Sequence, residues 1–158
     1  KPHSNTLSLI SRAYCSMNLE MIEDLWEKDS KIDNDDLHLE STKIPSLHSK
    51  YYKIYNNILL LKKGQENKFK VLRREKWEYY TGKARPEVYV EKPFDFKVLK
   101  SDIDKYLDSD EELIKCLTKV EYYQMVLDYL ESILKVILNR TYQIKNAIEW
   151  QRFIRGYD

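Results

Sequence analysis

Glycine and proline are scarce in this 158-residue chain, at three and four copies. That scarcity argues against a turn-rich β-sandwich or barrel and favours long uninterrupted helices. Cysteine is rarer still. Cys15 and Cys116 are too few and too far apart to suggest a disulfide framework, and no CxxC is present, so a reducing compartment is expected. The histidines His3, His38 and His48 have no metal-ligand spacing and pair with no cysteine or carboxylate in a recognisable motif. The phosphate-binding loop GxxxxGKS/T, GxGxxG and GxSxG are all missing. Asp33–Asp36 lacks the ligand positions of a calcium loop, and Asp108–Glu112 reads most simply as a helix start. The expectation is a protein that is not an enzyme and holds no metal or cofactor. No apolar run approaches the roughly 18 residues of a membrane span, and Leu7-Ser8-Leu9-Ile10 is too short for a signal-peptide core. A soluble, intracellular protein is expected.

Charged residues are plentiful at 34%, as are tyrosines at 13, yet the net charge is only +1. Residues 1–16 carry no acidic residue, and Met17-Asn18-Leu19-Glu20 reads as a natural start. The first sixteen residues are therefore set aside as an extension, arising from expression or upstream translation. Leu19, Ile22, Leu25 and Trp26 recur at helical spacing and predict a short amphipathic helix. Residues 17–40 hold nine Asp/Glu against two Lys, and Asp33–Asp36 marks a break. A second helix is expected to start between Thr42 and Pro45 and to run to about Thr81, with Gly82 as its stop. Its first half is apolar, with Leu47, Tyr51, Ile54, Tyr55, Ile58 and Leu61. Residues 83–100, with Pro86 and Pro93, read as extended, either forming a short strand or wrapping the helices. Ser101-Asp102 then precedes a short helix with Ile103, Tyr106 and Leu107, and a last helix begins near Ser109–Glu112. The fold class is all-α, divided into a helical region 17–85, an extended linker 86–100 and a C-terminal helical region 101–158.

Between Lys50 and Arg85 stand eleven Lys/Arg against three Glu, a concentration of charge in an otherwise neutral chain. On a helix, Lys70, Arg74 and Trp77 share one face, with Arg73, Lys76 and Tyr80 close beside them. Lys62, Lys63 and Lys68 extend the positive track toward the N-terminus. Cations spaced along a helix can follow a phosphate backbone, and interleaved Trp and Tyr can stack on unpaired bases. These nine residues are the candidate contacts with a single strand, tolerant of sequence because no residue reads a base edge. The alternative is a solvated helix face.

A 3,4 spacing holds along the last helix through Leu113, Cys116, Val120, Tyr123, Leu127, Leu130, Leu134, Ile137, Thr141, Ile144 and Ile148. A second apolar stripe comprises Val126, Tyr129, Ile133 and Val136. Two apolar faces call for two partners, the chain's own second helix and a neighbouring subunit. Val120, Tyr123, Leu127, Leu130, Leu134, Ile137, Ile144 and Ile148 are accordingly the candidate oligomerisation residues. A helix buried centrally in a monomeric bundle is the alternative. The run 139–156, with Arg140, Lys145, Arg152 and Arg155, reads as oligomerising helix with a solvated outer face in preference to a second nucleic-acid site.

Leu72-Arg73-Arg74-Glu75-Lys76-Trp77-Glu78-Tyr79-Tyr80-Thr81-Gly82 resembles the motif of the UvsY family, recombination mediators of T-even-like bacteriophages. In that motif, alternating basic residues are followed by an aromatic pair, Ser or Thr, and Gly. Asn139-Arg140 through Ile144-Lys145-Asn146-Ala147-Ile148 to Phe153 resembles the family's C-terminal helix, and the likeness runs from Met17 to about Gly156. Arg74 and Lys76 fall where the family's motif places its DNA-contacting cations, and Arg73 is an extra cation just before them. Residues 83–100 depart from the pattern and 1–16 match nothing in it. The resemblance implies a ring-like homo-oligomer, a hexamer or heptamer, that binds single-stranded DNA in the cytoplasm of an infected bacterium. It also implies that the ring loads a RecA-like recombinase onto strands covered by single-strand-binding protein, in recombination, repair and replication. A helical scaffold binding only protein is the rival reading.

Overall fold

Asn18 starts the first helix by accepting the Met21 N–H on its side-chain oxygen at 2.9 Å. In the computed structural model, which describes residues 17–156, helix α1 spans Leu19–Asp29, α2 Leu37–Tyr80, α3 Pro86–Glu91, α4 Ile103–Asp108 and α5 Glu111–Ile154, with no strand among the described residues. The extension 1–16, with His3 and Cys15, lies outside them. No helix among these residues is long and apolar enough to cross a membrane.

Helix α2 begins a full turn earlier than expected, because Asp36 and not Thr42 caps it. The Asp36 carboxylate accepts the Leu39 N–H at 3.1 Å, while Thr42 lies inside the helix and donates its hydroxyl to Leu39 O at 2.9 Å. Pro45 is likewise within the helix. The stop falls at Gly82 as expected: its φ is +76°, a region that residues with a Cβ rarely adopt. The Lys83 N–H returns to Glu78 O at 2.8 Å. Asp110 caps α5, its Oδ1 accepting the N–H groups of Glu112 and Leu113, each at 3.0 Å.

The linker expected to be extended holds a helix. Pro86 stands at the start of α3 with Glu87 in its first turn, where a missing N–H costs nothing and a carboxylate meets the positive end of the backbone dipoles. Between α3 and α4, residues 92–102 belong to no helix.

The chain folds as two compact units: 17–59 with 125–156, and Leu60–Gln124. In the discontinuous unit, α2 and α5 run antiparallel, as the pairs Tyr55–Glu131 and Glu40–Arg140 require. Its core is Ile22, Tyr51, Ile54, Ile58, Val126, Leu130, Ile133 and Ile137, each at most 1% exposed. A buried aliphatic side chain of this size contributes about 1.5–3 kcal/mol. Trp26 packs edge-on against Tyr51, with ring centroids 5.3 Å apart.

The heptad expectation needs correction here. Leu127, Leu130, Ile137 and Ile144 are 0–3% exposed within the chain's own core, so they form no surface for a second subunit. The buried face draws on both apolar stripes, because a 3.6-residue helix drifts against a strict 3.5 repeat, while Val136 of the second stripe is 44% exposed. The buried line runs Val126, Leu130, Ile133, Ile137, Arg140, Ile144, while Thr141 is exposed. Val120, Tyr123 and Leu134 are half-buried, and Ile148 is 40% exposed. What α5 does leave open is its far end: Leu138, Tyr142, Trp150, Phe153 and Ile154 are all more than half exposed, and Trp150 stacks on Phe153 at 5.8 Å.

Arg140 is the polar centre of this unit. Its guanidinium donates to Asp29 O at 2.9 Å, to Lys31 O at 2.8 Å and to the Glu40 carboxylate at 2.8 Å, with both side chains 6% exposed. One side chain on α5 thus ties down the end of α1 and the beginning of α2. Hydrogen bonds from Lys43 and Arg140 hold the Glu40 carboxyl below its ordinary value of 4.5, against the opposing effect of burial.

Candidate nucleic-acid interface

The second unit packs the latter half of α2 against α3, α4 and the first turns of α5. Lys62 meets Gln124 at 2.6 Å and Tyr80 meets Asp110 at 2.8 Å, so α2 and α5 are antiparallel here too. Tyr79, Tyr80, Tyr89, Phe94 and Tyr106 form a cluster of rings with centroid separations of 5.1–6.0 Å. The cluster folds segment 83–100 back onto α2. Tyr89 donates its hydroxyl to Tyr79 O at 2.8 Å, and the Tyr79 hydroxyl reaches Lys92 O at 3.1 Å.

The basic run divides by face. Lys63, Asn67, Lys70, Arg74 and Trp77, spaced by 4, 3, 4 and 3 residues, are all exposed and make one outward stripe. Lys68 is exposed beside it. Lys68 and Lys70 form no ion pair among the described residues. Arg74 is 69% exposed and has only a loose pairing with Glu78 at 3.6 Å. Lys62 and Lys63 share Glu66, at 3.4 and 3.1 Å. Arg73 points toward α4, with Asp104 at 3.6 Å and Asp108 at 3.7 Å. Trp77 is 38% exposed and carries Lys83 over its ring at 4.3 Å, a cation–π contact. Its edge lines a hollow with Lys100, Val98 and Ile103.

Lys76 and Tyr80 stand apart from this stripe. Lys76 is only 15% exposed, with its ammonium 3.1 Å from Asp110 and 3.0 Å from Glu112. The Tyr80 hydroxyl donates to the same Asp110 at 2.8 Å, which together with burial raises its pKa. Burial alone would raise the Asp110 carboxyl, but the Leu113 N–H, the Tyr80 hydroxyl and Lys76 outweigh it and leave it below its ordinary 3.8. Hydrogen bonds from Lys92 and Lys76 hold Glu112 below 4.5. Lys83, Arg85 and Lys92 on the folded-back segment are not among the residues that the sequence singles out. Their signal is three cations in ten residues, but a segment read as extended has no expected place against α2.

These depressed carboxyls set an acid limit. A group whose folded pKa lies below its unfolded one stabilises the fold above the unfolded value and loses that contribution as pH falls through the folded value. With Glu40, Asp110 and Glu112 all lowered from 3.8–4.5, the unfolding temperature should be level above about pH 5.5 and fall steadily below about pH 4.5. Circular-dichroism melts from pH 7 to pH 3 check this, and a level profile down to pH 3 would contradict it.

The model of the family described as recombination, repair and single-stranded DNA binding protein UvsY matches residues 25–157. The chain belongs to the UvsY family. The recombination protein UvsY of Enterobacteria phage T4 is 25% identical over 140 residues, which cover 89% of this chain and 99% of the phage protein. A crystal structure of the bacteriophage T4 recombination mediator protein UvsY, lattice type II, aligns with a TM-score of 0.77 at 25% identity, covering 89% of this chain and 99% of the other. The lattice type IV structure gives the same score at 23% identity over 87% of this chain. The UvsY match takes in α2 from its first residue to its last, and with it the whole exposed stripe.

Proposed function

We propose that this chain is a non-enzymatic recombination mediator that binds single-stranded DNA as a homo-oligomer. The observation that carries the reading is the exposed line Lys63, Asn67, Lys70, Arg74 and Trp77 on α2 of a UvsY-family chain. Lys68, Lys70 and Arg74 meet phosphates, Trp77 stacks on a base, and Lys62, Lys63 and Arg73 add positive potential from pairs that a backbone phosphate readily replaces. Lys76 contributes from within once Glu112 yields, while Tyr80 keeps its hydroxyl on Asp110. The oligomer is a hexameric or heptameric ring in the cytoplasm of an infected bacterium, and the open apolar end of α5 supplies its subunit contacts. Several copies of one weak site then hold a strand tightly. The bound, bent strand is passed from single-strand-binding protein to a RecA-like recombinase.

Fluorescence anisotropy with labelled oligothymidylate at several salt concentrations, with a matched duplex as control, tests the proposal. Preference for the single strand, with affinity falling steeply as salt rises, is the expected result. Arg74→Ala should make the slope of log affinity against log salt shallower by about 0.7 for each phosphate it leaves unneutralised. It should leave the unfolding temperature unchanged. Absence of binding at low salt would favour an oligomeric scaffold for protein partners.

A further inference from the structure

Within the second unit, the end of α2, the turn after it, α3 and the first turn of α5 enclose a cleft of about 450 Å³. Arg74, Lys76, Arg85 and Lys92 line it, as does Glu112. One oxygen of Glu112 accepts from two ammonium groups that reach it from different elements: Lys76 of α2 at 3.0 Å and Lys92, just past α3, at 2.7 Å. Two cations closing on one anionic oxygen is the arrangement a backbone phosphate would receive.

The two carboxylates on Lys76 are not equally held. Asp110 is 5% exposed and fixed by the Glu112 and Leu113 N–H groups and the Tyr80 hydroxyl, so it stays. The Glu112 side chain is 49% exposed, and that of Lys92 64%. Exposed ion pairs are weak because water screens them, so exchanging this carboxylate for another anion is close to neutral. Glu75, Glu78 and Glu91 also line the cleft, which therefore has no surplus of positive charge while Glu112 occupies it. Held below its ordinary pKa by Lys92 and Lys76, Glu112 is fully charged at neutral pH.

We propose that Lys76 and Lys92 form a phosphate site that Glu112 fills in the free protein, and that a phosphodiester of a single strand displaces the Glu112 carboxylate. The proposal rests on the single-strand reading above and adds to it Lys92, which is outside the α2 motif, and an internal competitor. Glu112 then sets the affinity: the strand must replace an anion already present, and only a backbone that reaches into the cleft does so.

Glu112→Gln keeps the shape and removes the charge. In oligothymidylate titrations it should bind several-fold tighter than wild type, with a salt slope steeper by up to about 0.7 per freed cation. Adding Lys92→Met should abolish the gain, and Lys92→Met alone should bind more weakly with a shallower slope. As Lys92 is exposed, that single variant tests the site even if Glu112→Gln folds poorly. If Glu112→Gln and Lys92→Met both match wild type in affinity and slope, the site is wrong while the single-strand reading stands. If wild type binds no oligothymidylate, the single-strand reading falls. Inorganic tripolyphosphate added to DNA-free protein then decides the site itself. A rise in unfolding temperature for Glu112→Gln, abolished by Lys92→Met, keeps it as an anion site, and no rise overturns it.

Discussion

Arg140→Ala should destabilise the unit built from 17–59 and 125–156 by about 3–5 kcal/mol, the usual cost of removing one partner of a buried pair. The loss has three parts. Glu40 stays charged in a site 5% exposed, and the carbonyls of Asp29 and Lys31 lose donors at 2.9 and 2.8 Å. Urea unfolding followed by the fluorescence of Trp26, which packs on Tyr51 in this core, measures the change. Adding Glu40→Leu to an Arg140→Met background should recover much of the loss, because replacing both partners with apolar groups leaves no orphaned charge. If Arg140→Ala unfolds within about 0.5 kcal/mol of wild type, the tie between α1, α2 and α5 is not what holds the unit together.

Leu127→Asp should abolish the folded state of the same unit instead of separating subunits. Leu127 is 2% exposed, and an unpaired carboxylate placed there has no donor to compensate its desolvation. Even Leu127→Ala should cost about 2–5 kcal/mol. Phe153→Ser, at a position 74% exposed, should leave stability within about 0.5 kcal/mol and lower the subunit number in sedimentation velocity. A Leu127→Asp protein that keeps its helical circular dichroism but falls into monomers would mean that this stripe faces another subunit after all.

The all-α class, the Gly82 stop, the Asp110 start of α5 and the basic run are legible in the sequence because each depends on neighbours within a turn or two. The faces of α2 are not. Arg74 and Lys76 are two residues apart, about 200° around a helix, so one meets water and the other meets Asp110 and Glu112. Charge counting cannot separate them, because it does not say which carboxylates the rest of the chain delivers. Helix α3 is hidden by Pro86, which reads as a breaker where it is a first-turn residue. Arg140 does carry a signal: it continues Ile133 and Ile137 toward Ile144 at 4, 3 and 4 spacing. An arginine on an apolar line points to a buried partner, and that partner lies a hundred residues away in sequence.

The split make-up of the first unit also orders events during synthesis. Residues 17–59 cannot bury Ile22, Tyr51, Ile54 or Ile58 until Val126 to Ile144 has been made, and the 65 residues of Leu60–Gln124 come between. At about 5–20 residues per second that is a wait of roughly 3–13 s on the ribosome. Once Gln124 is made the intervening unit has all its own contacts to hand, whereas the earlier segment has only those between α1 and α2, such as Trp26 on Tyr51. The nascent chain therefore closes its middle before its beginning, and a ribosome stalled within α5 would leave the Leu60–Gln124 unit formed and the first unit unfinished.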